Sequence, residues 1–358
     1  MTATSEFGLI DTFVAAFVEG LPLDAMGQLK PETAASSAQQ RAVAPASTLV
    51  LGPGDDAALL RVPAGELLVA TTDTLVCGRH FLPTMLAEHI GWRALAVNLS
   101  DLAAMGARPL SVLVAVTLPT ADALWLRDFG RGMGKLALEF GVSLAGGNMS
   151  QGTELSISVT ALGSVPADAA LQRSGARVGD GVYVSGRIGC AGAGLIAARG
   201  IAVQARTLAE WTHSVDELKR SAIAAGLPDP TLDLMRYLCP MPRNALGMEL
   251  RGVATAAIDV SDGLLADLAH LCAASAVAAD IVAAQVPVTE RLQRADALRA
   301  GDDYELCFTV PPAHEQRLRD VARVTQLEFT RIGVIADGSG VRLDGQRIAD
   351  SGGYRHFS

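Results

Sequence analysis

The sequence predicts a mixed α/β (α+β) protein built from two domains. Its 358 residues exceed the usual size of one domain, and half of them are hydrophobic, which is enough for a core in each domain. Aromatic residues make up only 4% of the chain, while 36 glycines indicate many tight turns. Short β-like runs alternate with stretches of helical spacing in both halves, and this alternation is typical of mixed α/β folds.

The first half opens with apolar residues at helical intervals over residues 6–19, which predict a helix. Residues 31–47 are small and polar and show no periodicity, so we expect a flexible insertion there. Further helices are predicted around residues 85–105 and 122–140. Strands are predicted at residues 48–51, 67–72, 111–118 and 155–162.

The second half shows the same alternation after a turn-rich segment at residues 163–170, which predicts a domain boundary. We therefore expect an N-terminal domain at residues 1–165 and a C-terminal domain at residues 166–358. Strands are predicted at 182–186 and 306–310, and helices at 206–223, 262–275 and 289–299. Residues 337–345 lack the alternating ligand spacing of a calcium loop and predict a hairpin turn.

Charge and cysteine usage exclude several classes of function. The formal net charge of −9 argues against general nucleic-acid binding, which requires a basic surface. The five cysteines form no C-x-x-C pair and are odd in number, so we expect neither a zinc site nor a disulfide framework. No run approaches the roughly 20 apolar residues of a membrane span, and no secretion signal is visible. We therefore expect a cytoplasmic protein without membrane partners.

Acidic residues recur in short segments at glycine turns or at the ends of predicted strands. These segments are GPGDDAAL (52–59), TTDT (71–74), NLSD (98–101), DVSDG (259–263) and GDDYEL (301–306). Carboxylates that converge from distant parts of a chain repel one another unless cations offset their charge. Magnesium favours a few carboxylates together with nucleotide phosphates. Together the segments indicate a magnesium site, although any one of them is more often a surface turn or a helix cap.

Signals for phosphate binding are present but unconventional. Glycine-dense segments, which can bind anions through backbone N–H groups, are GGNMSQG (146–152), RSGARVGD (173–180) and SGRIGCAGAG (185–194). Ordinary loop glycines are the alternative. GRGMGKLA (130–137) comes nearest to a P-loop and fails, because position 129 is Phe and Leu136 follows the lysine. The sequence contains no dinucleotide fingerprint and no G-x-S-x-G nucleophile motif.

In their order along the chain, these segments resemble those of the thiamine-monophosphate kinase (ThiL) family. The resemblance runs over nearly the full chain, from SEFGLID (5–11) to GYRHF (353–357). Its most specific stretches are NLSDLAAMGA (98–107) and DVSDGLLADL (259–268). It implies a PurM-like fold of two α/β domains, in which the N-terminal domains of two subunits pair to form a shared barrel-like core.

The implied activity is that of a kinase, a phosphotransferase with a phosphate group as acceptor. It transfers the γ-phosphate of ATP to thiamine monophosphate and gives thiamine diphosphate and ADP, a step of thiamine diphosphate biosynthesis. The family binds its nucleotide in a cleft between the domains, through several Mg²⁺ ions rather than a P-loop. The resemblance thus implies ATP and thiamine monophosphate as partners, Mg²⁺ as cofactor, and a homodimer.

Carried over position by position, the resemblance implies site residues in three groups. The implied metal ligands are Asp56, Thr71, Thr72, Asp73, Asp101, Asn148, Asp259 and Asp262. The implied nucleotide contacts are Gly147, Asn148, Arg173 and Ser261. The implied substrate contacts are His80, Asp302 and Tyr354. No general base is implied, because the attacking oxygen of the acceptor phosphate is already ionised near neutral pH, and transfer depends on positioning and charge stabilisation.

The chain departs from the family pattern at a few positions. Asn148 stands where Asp is common, so we expect a weaker metal site, although an amide oxygen can still bind magnesium. Asp302 replaces the usual Glu and reaches less far, so its substrate contact is expected to run through water. Cys190 replaces an Asp that is common in a glycine turn, and the insertion at 31–47 lengthens the approach to GPGDD.

Two other functions stay open at this point. One is a different enzyme of the same superfamily, such as an aminoimidazole-ribotide-forming cyclo-ligase or a hydrogenase-maturation dehydratase. The latter family ends in a cysteine, whereas this sequence ends in HFS. The other is a magnesium–nucleotide binding protein that has lost catalysis, which Asn148 keeps open.

Overall fold

The structure is a computed structural model that describes residues 6–19, 48–202, 208–226, 229–348 and 352. The predicted insertion at 31–47 and the predicted substrate contact Tyr354 lie outside the described residues. The chain divides into two compact units. The first unit comprises residues 1–102 and 108–167, and the second comprises residues 103–107 and 168–358.

The first unit, where the structure describes it, combines helices with a four-stranded sheet and a small hairpin. The helices are α1 (Glu6–Glu19), α2 (Ala87–Ala104) and α3 (Ala123–Phe140). The hairpin consists of β1 (Leu49–Leu51) and β2 (Leu59–Leu60). The sheet strands are β3 (Glu66–Val76), β4 (Arg108–Leu118), β5 (Ser143–Gln151) and β6 (Ser156–Pro166). The strand order is β3-β6-β4-β5, with β4 and β5 parallel and the other pairs antiparallel.

The two faces of this sheet differ in burial, because successive side chains of a strand point to opposite faces. Val114 and Val159 are paired residues on one face and are almost fully buried. On the other face, Leu68 and Leu113 are 51% and 39% exposed. The sheet of the first unit is therefore covered on one side and open on the other.

Helix α3 packs closely against its neighbours because glycines lie at the contacts. A Cβ added at Gly132 would lie 1.9 Å from the carbonyl oxygen of Glu88, in the first turn of α2. A Cβ added at Gly134 would lie 2.2 Å from the carbonyl oxygen of Phe17 in α1. Lys135, the lysine of the near-miss P-loop pattern, forms an ion pair with Glu88. The letters GRGMGK therefore belong to a helix-packing surface rather than to a phosphate loop.

The second unit, within the described residues, is built on a seven-stranded sheet with the order β13-β12-β9-β11-β7-β10-β8. Its strands are β7 (Gly181–Ser185), β8 (Ala256–Asp259), β9 (Ala278–Ile281), β10 (Leu306–Val310), β11 (Phe329–Ala336), β12 (Gly340–Leu343) and β13 (Gln346–Arg347). Its helices are α4 (Cys190–Ala202), α5 (Leu208–Ala224), α6 (Thr231–Leu238), α7 (Asn244–Glu249), α8 (Leu264–Ser275), α9 (Arg294–Ala297) and α10 (Glu315–Thr325). Strands β9 and β12 are parallel, and the other pairs are antiparallel.

Both faces of this second sheet are buried. Along β7, Val182 and Val184 pack into a core cluster that includes Leu268 of α8. Tyr183, between them, points to the opposite face and joins a second cluster that includes Leu318 of α10. Alternate side chains of β7 thus pack into two different cores, one on each face of the sheet, and the unit has three layers.

Two glycines of α4 give a matched test of close helix packing. A Cβ at Gly194 would lie 2.0 Å from the carbonyl oxygen of Asp233 in α6, whereas one at Gly200 would meet none of the described residues within 4 Å. We expect Gly194→Ala to lower the free energy of unfolding by about 3 kcal/mol, because a backbone carbonyl cannot rotate away and the helices have to separate. Gly200→Ala, the control, should raise the free energy of unfolding by about 0.5–1 kcal/mol, because Ala favours the helix more than Gly does. Urea unfolding measures both, and equal changes would contradict this account.

Most of the predicted elements are confirmed, and two predictions are wrong. The helix predicted over 289–299 is helical only at Arg294–Ala297, because Val288 and Thr289 pair with Ile188 in an extended conformation. The GGNMSQG segment, for which both interpretations of its glycines implied a loop, lies almost entirely in β5, where it pairs residue by residue with β4. Residues 306–310 form β10 as predicted.

The described helices include none with the length and apolar character required to cross a bilayer. All five cysteines carry free thiols. Burial raises the pKa of Cys272 to about 11, so this thiol is unreactive at neutral pH.

Candidate active site

A hydroxyl and a carboxylate meet where β3 faces α2 in the first unit. The Oγ1 of Thr71 donates a hydrogen bond to Oδ2 of Asp101 at 2.5 Å. Three residues earlier in α2, Oδ1 of Asn98 accepts the backbone N–H of Asp73 at 3.1 Å. Residues three apart share one face of a helix, and residues two apart share one face of a strand. The TTDT and NLSD segments therefore place Thr71, Asp73 and Asp101 on one oxygen-rich surface.

Thr72 points to the opposite face of the sheet. Its Oγ1 accepts a hydrogen bond from Oγ1 of Thr160 at 3.1 Å and donates one to the carbonyl oxygen of Val159 at 3.2 Å. Because neighbouring strand residues alternate in direction, the side chains of Thr71 and Thr72 cannot bind the same ion. The structure thus separates two of the metal ligands that the resemblance implies.

Asn148 is likewise separated from the oxygen-rich surface within this unit. It pairs with Ala115 in a row that continues through Ser158 to Thr74, which is the open face of the sheet. Strands β3 and β5 are the two edges of the sheet, three strand spacings or about 14 Å apart. Asn148 and Asp73 therefore lie at opposite edges and on opposite faces.

Gly147 lies in the same row of paired residues across the sheet as Asp73, and its backbone packs tightly on β4. A Cβ at this position would lie 2.0 Å from the carbonyl oxygen of Val114. Only glycine allows this approach. Strand packing therefore requires glycine at position 147, whether or not the residue also contacts a nucleotide.

Asp56 and His80 lie in turns that flank the sheet strands. Asp56 is exposed in the turn between β1 and β2, and its backbone N–H donates to Oδ1 of Asp55 at 2.8 Å. His80 follows β3, and its Nδ1 accepts the backbone N–H of Val76 at 2.9 Å. The neutral imidazole therefore carries its proton on Nε2, and the ring is held against the end of the strand.

The DVSDG segment of the second unit forms the turn between β8 and α8. Asp259 ends β8 and is buried, and Asp262 precedes the helix. Oδ2 of Asp267, in the first turn of α8, accepts the backbone N–H groups of Ser261, Asp262 and Gly263, each at 3.1 Å. Burial and the charges of Asp259 and Asp262 raise the pKa of Asp267 to about 8, against the effect of these N–H donors. Three carboxylates thus lie near one another.

The GDDYEL segment pairs with this turn. The backbone N–H of Asp302 donates to the carbonyl oxygen of Ser261 at 2.8 Å. The hydroxyl of Tyr304 donates to Oδ1 of Asp302 at 3.1 Å. Both Asp302 and Tyr304 adopt positive φ angles, of 69° and 50°. The structure therefore brings the predicted substrate contact Asp302 next to the predicted nucleotide contact Ser261.

Asp303 anchors the glycine turn that precedes α4. It is buried, and its carboxylate accepts the backbone N–H groups of Gly189 at 2.6 Å and Ala191 at 2.9 Å. Burial raises the pKa of Asp303 to about 8, while these two donors oppose the shift. The thiol of Cys190, between them, has its pKa raised by burial and by Asp233. The SGRIGCAGAG segment, whose second half begins α4, therefore directs these N–H groups to a protein carboxylate.

Glu305 forms a buried ion pair behind the same segment. It accepts two hydrogen bonds from Arg243, with Nε to Oε2 at 2.7 Å, and one from the hydroxyl of Ser185 at 2.6 Å. Arg236 lies 3.4 Å away. Burial alone raises the pKa of Glu305, but the charge and hydrogen bonds of Arg243, together with Arg236 and Ser185, hold it below its ordinary value. Glu305 is therefore ionised and supports the GDDYEL segment.

Arg173, the predicted phosphate contact, is exposed in the RSGARVGD turn. Its carbonyl oxygen accepts the hydroxyl of Ser275 at 2.9 Å. Farther along the turn, the backbone N–H of Arg177 donates to Oδ2 of Asp180 at 3.0 Å. The backbone N–H of Gly179 donates to the carbonyl oxygen of Ile335 at 2.9 Å. The turn is thus tied to the sheet, and Arg173 presents its side chain to solvent.

The donor chemistry of two of these groups fits magnesium. Thr71, Asp73 and Asp101 in the first unit, and Asp259 and Asp262 in the second, offer only oxygen atoms. Over the described residues, no three His, Cys, Asp or Glu side chains converge closely enough to hold a metal ion alone. Magnesium usually keeps several waters and uses one or two carboxylates with nucleotide phosphates, so sparse groups of this kind suit it.

Comparison with known proteins matches both units to one family. The model of the AIR synthase related protein N-terminal domain matches residues 54–165, and that of the C-terminal domain matches residues 177–346. The thiamine-monophosphate kinase of Escherichia coli K12 is 39% identical over 320 residues, covering 86% of this chain and 92% of that protein. This chain belongs to the thiamine-monophosphate kinase family.

Solved structures of this family share the fold. The thiamine-monophosphate kinase from Stenotrophomonas maltophilia K279a superposes with a TM-score of 0.73 at 44% identity, covering 84% of this chain and 92% of that one. AaThiL complexed with AMPPCP and TMP gives 0.68 at 29% identity, covering 83% and 89%. The hydrogenase maturation protein HypE in complex with ATP gives 0.62 at 20% identity, with 84% and 87% coverage, and shows the fold alone.

The kinase-family motifs contain residues whose roles the sequence did not indicate. Asp267 is the third acidic residue of DVSDGLLADL, Asp303 is the second of GDDYEL, and Arg243 ends RYLCPMPR. A weak signal exists for Asp267, since an acidic residue in the first turn of a helix commonly bonds free N–H groups. Asp303 and Arg243 act on residues more than 60 positions away in sequence, so no local pattern reveals them.

Proposed function

We propose that this chain is a magnesium-dependent thiamine-monophosphate kinase that transfers the γ-phosphate of ATP to thiamine monophosphate, giving thiamine diphosphate and ADP. Family membership supports the proposal, as does the relative complexed with AMPPCP and TMP. The single observation in the molecule that carries it is the Thr71–Asp101 hydrogen bond, which joins TTDT to NLSD beside Asp73. This is the oxygen-rich surface expected of a kinase that binds its nucleotide through metal ions.

Charge determines the roles of the residues in this proposal. Mg²⁺, when bound, supplies the positive charge that lets two polyanions approach each other. Asp73 and Asp101 would hold it in the first unit, and Asp259 and Asp262 in the second. Arg173, exposed and permanently charged, would bind a nucleotide phosphate in a bidentate manner. No described residue needs to act as general base, because the acceptor oxygen is already ionised.

We propose that His80 and Asp302 recognise the thiamine end. Asp302 is held in place by Tyr304 and His80 by the backbone N–H of Val76, so both side chains have a fixed orientation. A fixed side chain loses little conformational freedom on binding, which favours affinity. Tyr354 would add an aromatic face for the cationic ring.

We further propose that the chain works as a homodimer in the cytoplasm, with domains at 1–165 and 166–358. The open sheet face with Leu68 and Leu113, and the sheet edges at β3 and β5, which pair with no further strand among the described residues, offer a large surface for a second copy. A partner would also help Asn148, which faces away from Asp73, to join a metal site. Sedimentation velocity tests the dimer, and a monomer at micromolar concentration would contradict it.

The activity is tested by incubating the purified chain with ATP, Mg²⁺ and thiamine monophosphate and following thiamine diphosphate by chromatography. Product that requires both Mg²⁺ and the acceptor phosphate supports the kinase. Binding of ATP without product would favour the alternative of a nucleotide-binding protein that has lost catalysis. The exposed position of Asn148 on the open sheet face is the observation that keeps this alternative in view.

Asn148→Asp is expected to tighten Mg²⁺ binding in the presence of an ATP analogue by about fivefold, because a unit charge 4 Å away contributes about 1 kcal/mol in water. Ser150→Asp is the matched control, since it adds the same charge two residues on along the same face of β5. Calorimetric titration measures both variants. Unchanged affinity in Asn148→Asp would remove this residue from the metal site.

A further inference from the structure

The DVSDG turn is held by one carboxylate oxygen. Oδ2 of Asp267 accepts the consecutive N–H groups of Ser261, Asp262 and Gly263 at 3.1 Å each, and the side chain is only 3% exposed. Helix α8 begins after Gly263, which has no side chain to cap it. Asp267 therefore reaches back from the first turn and satisfies N–H groups that a helix start leaves open.

The opposite side of the turn has no room to move. The carbonyl oxygen of Ser261 accepts the N–H of Asp302 at 2.8 Å. A Cβ at Gly301 would lie 2.4 Å from the same carbonyl oxygen, and one at Gly263 would lie 2.6 Å from that of Arg299. The backbone from Ser261 to Gly263 is therefore held by Asp267 on one side and by residues 299–302 on the other.

We propose that Asp267 is a positioning residue: it holds Asp262 relative to Asp259 in the arrangement that binds a divalent cation. Asp259 is fixed in β8, where it pairs with Leu306 of β10. Asp262 lies within the turn, so the direction of its carboxylate depends on the backbone that Asp267 bonds. Groups that orient metal ligands typically contribute 10- to 100-fold to metal affinity. The inference rests on the proposed function, because that function assigns the two carboxylates to Mg²⁺.

The same bonds affect how Ser261 can act. Its N–H is engaged by Asp267 and its carbonyl oxygen by Asp302, so its hydroxyl is the group left to contact a nucleotide. A turn whose N–H groups face inward presents side-chain oxygen atoms outward, here those of Asp262 and Ser261. It suits a cation rather than a bare phosphate, unlike the anion-binding turns in which the N–H groups point at the ligand.

The test is a titration of the full chain with Mn²⁺, followed by electron paramagnetic resonance of the free ion. Asp267→Ala removes the acceptor and is expected to weaken Mn²⁺ binding by about 10- to 100-fold. Asp267→Asn keeps an acceptor oxygen in the same place and is expected to retain most of the affinity. Leu271→Ala, one turn farther along α8 and fully buried, controls for lost stability: it should lower the unfolding temperature and leave Mn²⁺ affinity unchanged.

Each outcome decides the point. Wild-type affinity in Asp267→Ala, or an equal loss in Asp267→Asn and Asp267→Ala, would overturn positioning by hydrogen bonds. A loss of affinity in Leu271→Ala that matches Asp267→Ala would reduce the effect to instability and would also overturn it, as would a wild-type chain that binds no Mn²⁺. The readout does not depend on turnover. Wild-type Mn²⁺ binding without thiamine diphosphate formation would count against the kinase, not against the role of Asp267.

Discussion

Asp101→Ala is expected to lower turnover by at least about 100-fold at saturating Mg²⁺, the usual effect of removing one preorganised electrostatic group from an active site. Oδ2 of Asp101 is the acceptor of the short hydrogen bond from Thr71. Its loss removes a negative charge from the surface that also carries Asp73. Steady-state kinetics with ATP and thiamine monophosphate measure the change.

Two further variants make this result interpretable. Asp128→Ala removes an exposed carboxylate of the same unit that pairs with Arg127, and we expect its turnover to stay near the wild-type value. Asp101→Asn keeps an acceptor for Thr71 but not the charge, so a loss close to that of the alanine variant would assign the effect to charge. A decrease of less than about threefold in Asp101→Ala would rule out an electrostatic role of this size.

Arg243→Met is expected to lower the free energy of unfolding by about 3–5 kcal/mol, because it leaves the Glu305 carboxylate buried without its main partner. Arg331→Met breaks the exposed pair of Arg331 with Glu315, whose atoms lie 3.6 Å apart, and is the matched control. Exposed pairs contribute about 0–1 kcal/mol. Urea unfolding measures both variants, and similar losses would show that burial of the Glu305 pair has no special effect.

The same pair makes the difference between the wild type and Arg243→Met depend on pH. Arg243 holds the pKa of Glu305 below its ordinary value. The stabilisation is therefore fully present above the unfolded pKa of about 4.3 and is lost as pH falls through the lower folded pKa. We expect the gap in unfolding free energy to be constant near neutral pH and to shrink in acid. A gap that widens in acid would reverse the sign of this coupling.

The sequence predicts the parts of the site that depend on local patterns. The strand predicted over 67–72 and the helix predicted around 85–105 place the TTDT segment at a strand end and Asp101 on a helix, and the structure joins Thr71 to Asp101. The strand order of the sheet is not local, so nothing in GGN indicates that Asn148 lies at the far edge from Asp73. Edge position depends on pairings between residues distant in the chain.

The GDDYEL segment shows a second limit. Each of its carboxylates accepts hydrogen bonds from a different partner. Asp302 bonds Tyr304, Asp303 bonds the turn before α4, and Glu305 bonds Arg243. Positive φ angles at Asp302 and Tyr304 break the regular alternation of side chains. Non-glycine residues adopt such angles only where surrounding contacts impose them, so their directions follow from the tertiary structure.

The glycine contacts of α3 have a mechanical consequence. A Cβ at Gly91 of α2 would lie 2.0 Å from the carbonyl oxygen of Phe129, and Gly132 meets the carbonyl oxygen of Glu88 in return. Side chains between helices can change rotamer and absorb a displacement, but two backbones in direct contact cannot. Helices α2 and α3 should therefore move as one rigid body. The backbone of Asp101, which lies on α2, should be equally rigid. In the proposed kinase, a carboxylate with little freedom to move would keep its distance to the transferred phosphate from one turnover to the next.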